Sequence, residues 1–568
     1  YLPEELLDRY RLMRLQEAIS AIHEPRSAQE IDASRRRFAF DELFMIAATS
    51  NMVRGELSEA HAPRIDIDLE YLKRLKLKLP FKLTEDQEKA LADITNDISG
   101  TTPSNSPLDK GENRPMSRLL NGDVGSGKTI VACLAAASAA RAGFRTLIMA
   151  PTEILAKQHF KTFCEVLKNE DVSIGLITSS TKMVVGKPKT QIPEQKENPG
   201  LKPENAQFIV GTHALLTKGR RYDRVGLVVV DEQHRFGVEQ RSALKRVVII
   251  NDQLPIINQF KNSKIDQLNV NCKLKIDKLE KRSPHFLSMT ATPIPRTLQL
   301  ALFGDLDVSL IKEKPSNRKA IKTRFVEPHN REKAYQFIKA QVSSGRQVFV
   351  VCPLIQENME QETWNKSQEL FETERKSVMS EYEKLKKEIF PEFKVVMLHG
   401  KMKSKEKDEI MLDFSRGKTN ILVSTSVIEV GVDVPNATVM MIEDAERFGL
   451  AQIHQFRGRV GRGEHQSFCF LFSNSVSEKA MQRLRGLEST DDGFALAELD
   501  LSQRGPGSIL GTMQSGITEL QMASFSDLEL VSEASEAAGR IVAESPDLEN
   551  FPLLKEKIMA FRTGKHLE

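Results

Sequence analysis

Residues 122–129 read Gly-Asp-Val-Gly-Ser-Gly-Lys-Thr and match in full the G-x-x-x-x-G-K-[ST] pattern of a phosphate-binding loop. Glycines let backbone N–H groups approach phosphate oxygens, where a Cβ would obstruct them. Lys128 offers a cationic donor to the terminal phosphates, and Thr129 offers a hydroxyl to Mg²⁺. The apolar run after the loop predicts a buried helix whose positive end faces the same anion. We therefore expect a nucleoside triphosphate to bind Gly122, Gly125, Ser126, Gly127, Lys128 and Thr129, rather than a mere glycine-rich turn.

Two carboxylates follow an apolar run further along the chain. Leu227–Val230 predicts a strand, and Asp231 and Glu232 come directly after it. Asp231 at the carboxyl edge of a sheet can hold Mg²⁺ through its water shell, and Glu232 can polarise the water that attacks the γ-phosphate. Such a strand ending is common by itself. Together with the phosphate-binding loop it predicts hydrolysis of the nucleotide.

Three arginines separated by glycines form a third constellation, at positions 457, 459 and 462. Guanidinium groups at this spacing are costly to place unless they face anions. We expect Arg459 and Arg462 to reach a nucleotide held by another part of the chain, as arginine fingers worth ~10³–10⁵ in rate in comparable enzymes. The alternative is a basic surface turn.

Upstream of the loop, Thr84 and Gln87 have the spacing of a capping box at a helix start. Gln87 on that first turn could also hydrogen-bond an adenine edge. The two interpretations are compatible, because one amide can serve both the helix and a ligand.

Short β-rich segments alternate with helical ones from about residue 70, which predicts parallel sheets joined by crossover helices. The alternation continues after Ile311, so we predict two successive α/β units of similar size. The expected strands are Thr146–Ala150, Phe208–Gly211, Leu227–Val230, Phe286–Thr290, Val348–Cys352, Val395–Leu398, Ile421–Ser424, Val439–Ile442 and Phe468–Phe472. Residues 1–60 and the region after about 480 read as helical, the latter with a glycine-rich interruption.

The composition excludes several classes of protein. A chain of 568 residues is too long for one core, so three or four domains are expected. The net charge of +3 identifies no partner. Five widely spaced cysteines without a CxxC pair argue against zinc or a disulfide framework and favour a reducing cytosol. No apolar run reaches membrane-spanning length, and the first residue is Tyr1 rather than methionine, which predicts a fragment of a longer protein.

Four stretches read as insertions, because they are polar or highly charged and have few apolar anchors. They are 99–115, 182–205, 251–283 and 357–390. The ordinary interpretation is a solvated elaboration of the surface. The alternative is a regulatory or DNA-contacting role.

The ordered motifs resemble superfamily 2 helicases of the DExH type: Gly122–Thr129, Asp231-Glu232-Gln233-His234, Thr290-Ala291-Thr292-Pro293, and Gln455 to Arg462. More narrowly, the chain resembles the RecG family of branched-DNA helicases. The closer match lies in 115–129, 150–156, 211–216, 289–296, 427–437, 501–507 and 511–516. The resemblance covers nearly the whole chain apart from the insertions.

The resemblance implies roles for further residues. Gln233 and His234 would complete the hydrolytic motif, Phe81 and Gln87 would contact adenine, and Gly431 and Asp433 would touch the nucleotide from the second unit. Short polar side chains at strand ends would contact the DNA backbone without reading bases; these are Thr152, Thr212, His213, Thr290, Thr292 and Thr425. Arg504 and Gln514, beside several glycines, would couple lobe motion to translocation.

The implied fold class is α/β, with two tandem RecA-like parallel-sheet lobes, an N-terminal helical segment and a C-terminal helical hairpin and loop region. The expected boundaries are a helical linker segment at 1–70, a first lobe at 71–310, a second lobe at 311–480 and a C-terminal helical region with a translocation loop at 481–568. Members of the family also carry an N-terminal wedge built on an oligonucleotide-binding barrel. Residues before 70 lack the many short strands of such a barrel.

The activity implied by the resemblance is an ATP- and Mg²⁺-dependent DNA helicase and double-stranded DNA translocase that remodels stalled forks and recombination junctions. Branched or double-stranded DNA would be the partner of a monomer in the bacterial cytoplasm, at the nucleoid and in contact with single-strand-binding protein. Two alternatives remain, a translocase of the transcription-repair coupling type and a module that clamps DNA without turnover. Intact Lys128, Glu232, Arg459 and Arg462 argue against the clamp.

Overall fold

A computed structural model describes residues 1–58, 61–101, 114–186, 202–217, 220, 222–232, 283–292, 306–313, 319–353, 379–400, 402, 404–425, 434–474, 477–504, 520–524 and 527–564. These residues fold into two sheets with flanking helices and one group of packed helices. Among them, no helix combines the length and the apolar character needed to cross a bilayer.

The α-helices of the described residues follow one another along the chain as α1 (Glu4–Arg9), α2 (Leu15–His23), α3 (Ala28–Ser58), α4 (Leu69–Lys78), α5 (Glu85–Ser99), α6 (Lys128–Arg141), α7 (Glu153–Val166), α8 (Arg331–Ser343), α9 (Ser404–Ser415), α10 (Leu450–Arg457), α11 (Glu478–Ser489), α12 (Gly493–Arg504), α13 (Leu528–Glu544) and α14 (Pro552–Gly564). Short 3₁₀ turns cover Pro203–Asn205, His213–Leu216, Pro328–Asn330 and Ala445–Arg447, and a helical stretch at 379–384 continues as a π-helix, Leu385–Ile389.

The first lobe is built on the strands β1 (Ser117–Gly122), β2 (Arg145–Met149), β3 (Ile174–Ile177), β4 (Lys182–Val185), β5 (Phe208–Gly211), β6 (Val225–Asp231), β7 (His285–Thr290) and β8 (Asp307–Ile311). They lie in the order β4-β3-β5-β2-β6-β7-β1-β8, and only β3 and β4 pair antiparallel. Because both faces of such a sheet are covered, its central strands read as continuous apolar runs. β6, at the centre, is buried along its whole length.

The second lobe is built on β9 (Lys322–Val326), β10 (Gln347–Val351), β11 (Val395–Leu398), β12 (Ile421–Ser424), β13 (Ala437–Ile442) and β14 (Phe468–Phe472). Their order is β11-β12-β10-β13-β14-β9, and every neighbouring pair is parallel. In a parallel sheet all carboxyl ends meet at one edge. In each lobe, therefore, the polar residues that follow the strands are collected on one side.

Helices from the two ends of the chain share one hydrophobic core. Phe40 and Phe44 of α3 pack in the same cluster as Ala534 and Ala538 of α13. Leu119 of β1 belongs to that cluster as well. The C-terminal helices, which follow the second lobe in sequence, are therefore packed with the N-terminal helices against the first lobe.

The predicted organisation into two successive α/β units is confirmed. The bounds of β5, β11, β12 and β14 agree with the sequence prediction, and the other expected strands shift by one or two residues at their ends, where boundaries are least defined. One difference is β4, which lies inside the stretch expected to be an insertion and adds an antiparallel edge strand. Of the expected insertions, residues 102–113, 187–201, 251–282 and 357–378 lie outside the described residues.

Candidate active site

The phosphate-binding loop connects the carboxyl end of β1 to the start of α6. Gly125 and Gly127 have φ angles of 78° and 87°, in the left-handed region where a Cβ is disfavoured. A Cβ on Gly127 would also lie 2.3 Å from Nε2 of Gln87. The loop therefore requires glycine at this position for two reasons, and α6 begins with Lys128 directly after it.

Lys128 is buried inside the loop, where its Nζ donates hydrogen bonds to the carbonyl oxygens of Gly122 at 2.7 Å and Asp123 at 2.9 Å. Burial lowers the pKa of its ammonium group. The charges of Glu232, Asp231 and Asp123 oppose that shift. The guanidinium of Arg459 from the second lobe adds to the lowering, so charges from both lobes act on the phosphate-binding lysine.

Gln87 ties the start of α5 to the loop. Its Oε1 accepts from the Thr84 backbone at 3.0 Å, which completes the expected capping box, and its Nε2 donates to the carbonyl of Ser126 at 2.7 Å. The side chain is buried, whereas Phe81 is 42% exposed. Gln87 is thus engaged with the loop itself, and its contact with adenine stays a prediction, as does that of Phe81.

Asp231 ends β6, which β7 separates from β1, and its charge acts on Lys128 of the phosphate-binding loop. Its Oδ2 lies 2.7 Å from Nε2 of His159 on α7, and its Oδ1 accepts from the Glu232 backbone at 3.0 Å. Burial raises the pKa of Asp231, but the hydrogen bond and charge of His159 together with the charge of Lys128 outweigh it. The net shift is downward, so this carboxyl group is held as a carboxylate.

Glu232 follows with a φ of 50°, in the left-handed region that a side chain rarely adopts. Such backbone strain costs about 1–3 kcal/mol and is concentrated at functional sites. The Oε2 of Glu232 accepts from the backbone of Ala291 at 3.4 Å. The strained conformation therefore aims the carboxylate at the loop that follows β7, where Thr292 donates its backbone N–H to Thr290 at 3.2 Å.

The second lobe meets this site through α10 and the residues after it. Nε2 of Gln455 donates to Oγ1 of Thr292 at 2.5 Å. Arg459 is 6% exposed, and Arg462 is partly buried with its Nε donating to Gly458 at 3.4 Å. The charge of Arg459 reaches Lys128; the finger role of both arginines stays a prediction.

Arg457 is the first arginine of the same motif, and it pairs with a carboxylate of the protein itself. It is fully buried and pairs with Asp491 at 3.2 Å. It also donates to the carbonyl oxygens of Leu487 and Thr490 and to Nδ1 of His454. Arg457 thus anchors α10 to the end of α11.

The donor set at the loop fits a hard divalent cation. Mg²⁺ prefers oxygen ligands and keeps several waters, and the Thr129 hydroxyl and the Asp231 carboxylate are oxygen donors of this kind. Both carboxylate oxygens of Asp231 already accept a protein donor. Each keeps a lone pair, which suits contact through metal-bound water.

The residues expected to contact DNA lie at or shortly after strand ends, and they differ in exposure. Thr152 caps α7 and accepts from Leu155, and Thr212 caps the following 3₁₀ turn and accepts from Ala214. His213 is exposed, whereas Thr212, Thr290 and Thr425 are buried. Contacts of these residues with DNA stay predictions.

Several predicted site residues lie outside the described part of the chain. They are Gln233, His234, Gly431, Asp433 and Gln514. Arg504 ends α12. The structure also places two histidines in the site that the sequence did not predict. His159 lies in α7, where no local pattern distinguishes it, and His454 lies beside the arginine motif but has no role predicted from sequence.

Three helicase families match the chain. Residues 84–301 match the DEAD/DEAH box helicase family, and residues 331–464 match the helicase conserved C-terminal domain. Residues 490–567 match the family described as ATP-dependent DNA helicase RecG, domain 3, C-terminal. These matches cover most strands of both sheets and the helices α12 to α14.

The chain is similar over nearly its whole length to bacterial proteins named ATP-dependent DNA helicase RecG. That of Synechocystis sp. is 40% identical over 98% of this chain, which spans 60% of that protein. That of Streptococcus pneumoniae is 40% identical over 95% of this chain, which spans 71% of it. A solved structure titled "Structure of RecG bound to three-way DNA junction" is 34% identical, with a TM-score of 0.70 over 95% of this chain and 62% of that one. With two RecA-like lobes and this identity over two thirds and more of a relative, the chain belongs to the RecG family of ATP-dependent DNA helicases.

Proposed function

We propose that this chain is an ATP-driven motor that translocates on double-stranded DNA and remodels branched DNA, such as stalled forks and recombination junctions. The observation that carries this proposal is that the second lobe contacts the hydrolytic site of the first: His454 hydrogen-bonds to Asp123 of the phosphate-binding loop, Gln455 hydrogen-bonds to Thr292 beside the partner of Glu232, and the charge of Arg459 acts on Lys128. A site completed by two lobes is active only when they approach each other. Hydrolysis is thereby linked to relative motion of the lobes, which a translocase needs.

The chemistry proposed for the site is in-line attack of water on the γ-phosphate of ATP. Glu232 accepts a proton from the attacking water, and Lys128 holds the phosphates. Arg459 and Arg462 stabilise the charge that develops in the transition state. Mg²⁺, held by Thr129 and through water by Asp231, would supply Lewis-acid stabilisation of the phosphate oxygens.

DNA is proposed to lie across the strand ends that carry Thr152, Thr212 and Thr425. The partly exposed hydroxyl of Thr152 and the backbone groups of these strand ends suit phosphate and sugar contacts, which position a duplex without reading its sequence. The relative seen with a three-way junction supports a branched substrate. We further propose that the chain acts as a monomer at the bacterial chromosome, in contact with single-strand-binding protein.

Phosphate release tests this function when measured side by side with a forked DNA, a linear duplex, a single strand and an RNA duplex. We expect stimulation to be greatest with the fork and to fall with salt, because phosphate contacts release counterions. Tight DNA binding without phosphate release would instead favour the DNA-clamping alternative. Greatest stimulation by RNA would contradict the proposal.

A further inference from the structure

A carboxylate occupies the phosphate-binding loop, where the ligand itself is negatively charged. The Oδ1 of Asp123 accepts from the backbone of Val124 at 2.8 Å and lies 2.5 Å from Nε2 of His454 on the second lobe. The two side chains are only 7% and 4% exposed. Asp123 is therefore shielded from solvent and hydrogen-bonded across the interface between the lobes.

The neighbours of His454 determine where its proton lies. Nη2 of Arg457 is 2.7 Å from Nδ1 of His454, and a guanidinium can only donate. Nδ1 therefore accepts, and Nε2 carries the proton that His454 donates to Asp123. Because Arg457 is itself fixed by Asp491 and by carbonyl oxygens of the second lobe, the imidazole is held in this orientation.

The negative charge of Asp123 acts on the atoms that bind phosphate. Its carbonyl oxygen accepts from Nζ of Lys128 at 2.9 Å, and its charge raises the pKa of that lysine. A carboxylate so near an anion site opposes the binding of a polyphosphate. A hydrogen bond from His454 withdraws part of that charge, and it is present only while the second lobe is in contact with the first.

We propose that Asp123 and His454 form a latch between the lobes that makes nucleotide affinity depend on lobe closure. Both are positioning residues: neither reacts, and each acts through the loop that holds the phosphates. Because coupling between two equilibria is reciprocal, a bound nucleotide favours closure in return. Closure then keeps Arg459 beside Lys128. This inference rests on the ATP hydrolysis proposed above.

The test combines equilibrium binding of the fluorescent analogue mant-AMPPNP with steady-state ATP hydrolysis on fork DNA. His454→Ala should weaken mant-AMPPNP binding and raise the KM for ATP by about tenfold, the usual cost of losing a hydrogen bond to a charged group. His454→Gln, whose amide can accept from Arg457 and donate to Asp123, should recover much of that loss. The exposed His329→Ala, also on the second lobe, is the matched control and should leave affinity unchanged.

Asp123→Asn separates charge from packing. The amide oxygen still accepts from His454 and Val124, but the charge is gone, so nucleotide should bind at least as tightly as to wild type. In the Asp123→Asn background, His454→Ala should weaken mant-AMPPNP binding by less than about twofold. If His454→Ala lowered nucleotide affinity equally in the wild-type and the Asp123→Asn backgrounds, the latch would be overturned. Weaker nucleotide binding by Asp123→Asn, in a protein that thermal unfolding shows to be folded, would also overturn it. Wild-type protein that neither binds nor hydrolyses ATP would overturn the proposed function and the latch together, whereas normal wild-type activity with unaffected His454→Ala overturns the latch alone.

Discussion

Gln455 of the second lobe donates a hydrogen bond of 2.5 Å to the hydroxyl of Thr292 in the first. The residue before Thr292, Ala291, donates its backbone N–H to Glu232. One contact between the lobes is therefore only a single residue away from the proposed catalytic carboxylate. The loop after β7 therefore connects a contact between the lobes to the carboxylate proposed to activate water.

Thr292→Val removes the hydroxyl while keeping the shape of the side chain. We expect kcat for DNA-stimulated ATP hydrolysis to fall about tenfold, because the hydrogen bond that orients this loop is lost. Gln455→Ala should have a similar effect, and the double variant should be little worse than either single variant. Thr101→Val, on the exposed surface of the first lobe, is the control. Losses that add in full would show that Gln455 and Thr292 act separately.

Arg459→Ala and Arg462→Ala should each lower kcat by ~10³ or more with little change in ATP affinity, because a finger acts on charge that appears only in the transition state. Steady-state hydrolysis and nucleotide binding measure the two effects. Arg324→Ala removes a guanidinium from a side chain of the same lobe that is 71% exposed, and it should be neutral. An arginine of the pair whose loss leaves kcat unchanged would be a surface turn residue.

Arg504→Ala or Gln514→Ala should separate hydrolysis from movement. If these residues couple lobe motion to the DNA, fork unwinding and triplex displacement should collapse while DNA-stimulated ATPase activity stays largely intact. Both activities are measured on the same preparation. Parallel loss of both would mean misfolding or lost DNA binding, and the coupling role would have to be withdrawn.

His285 connects the segment before α4 to the first sheet. Its Nδ1 accepts from the Met116 backbone at 3.0 Å and its Nε2 donates to Pro63 at 2.8 Å. Burial lowers its pKa from 6.5 to about 4. Because the folded pKa lies below the unfolded one, the unfolded chain takes up the proton first as pH falls. The contribution of His285 to the stability of the first lobe should therefore be fully present above pH 6.5 and be lost as the pH falls towards 4, by up to about 3 kcal/mol.

Denaturant unfolding of the first lobe at a series of pH values measures this effect. His285→Gln can make both hydrogen bonds without titrating, so the decrease between pH 6.5 and 4 should become shallower. The exposed His329→Ala, in the second lobe, should leave the slope as it is in wild type. Identical slopes for wild type and His285→Gln would exclude His285 as the source.

Much of the site could be predicted because its residues lie in short motifs. The phosphate loop and the Asp231–Glu232 pair follow strands whose apolar runs are readable locally, and the edge of a parallel sheet brings them together. The partners His159 and His454 could not be predicted, because each meets its carboxylate across a long sequence separation. The packing of α3 with α13 could not be predicted for the same reason. The pattern of an amphipathic helix shows which face is buried, but not which helix covers it. β4 could not be predicted because its apolar run, Met183–Val185, is only three residues long, its side chains are largely exposed and polar residues follow it.

The central claim is that the two lobes form one site that hydrolyses ATP in response to DNA, and Glu232→Gln tests it most directly. Phosphate release on fork DNA should fall to background, because a carboxamide cannot accept the proton of the attacking water. Binding of mant-AMPPNP should persist in Glu232→Gln, whereas Lys128→Ala should abolish turnover by removing the charge that holds the phosphates. DNA-stimulated phosphate release by Glu232→Gln close to that of wild type would contradict the assignment of this site.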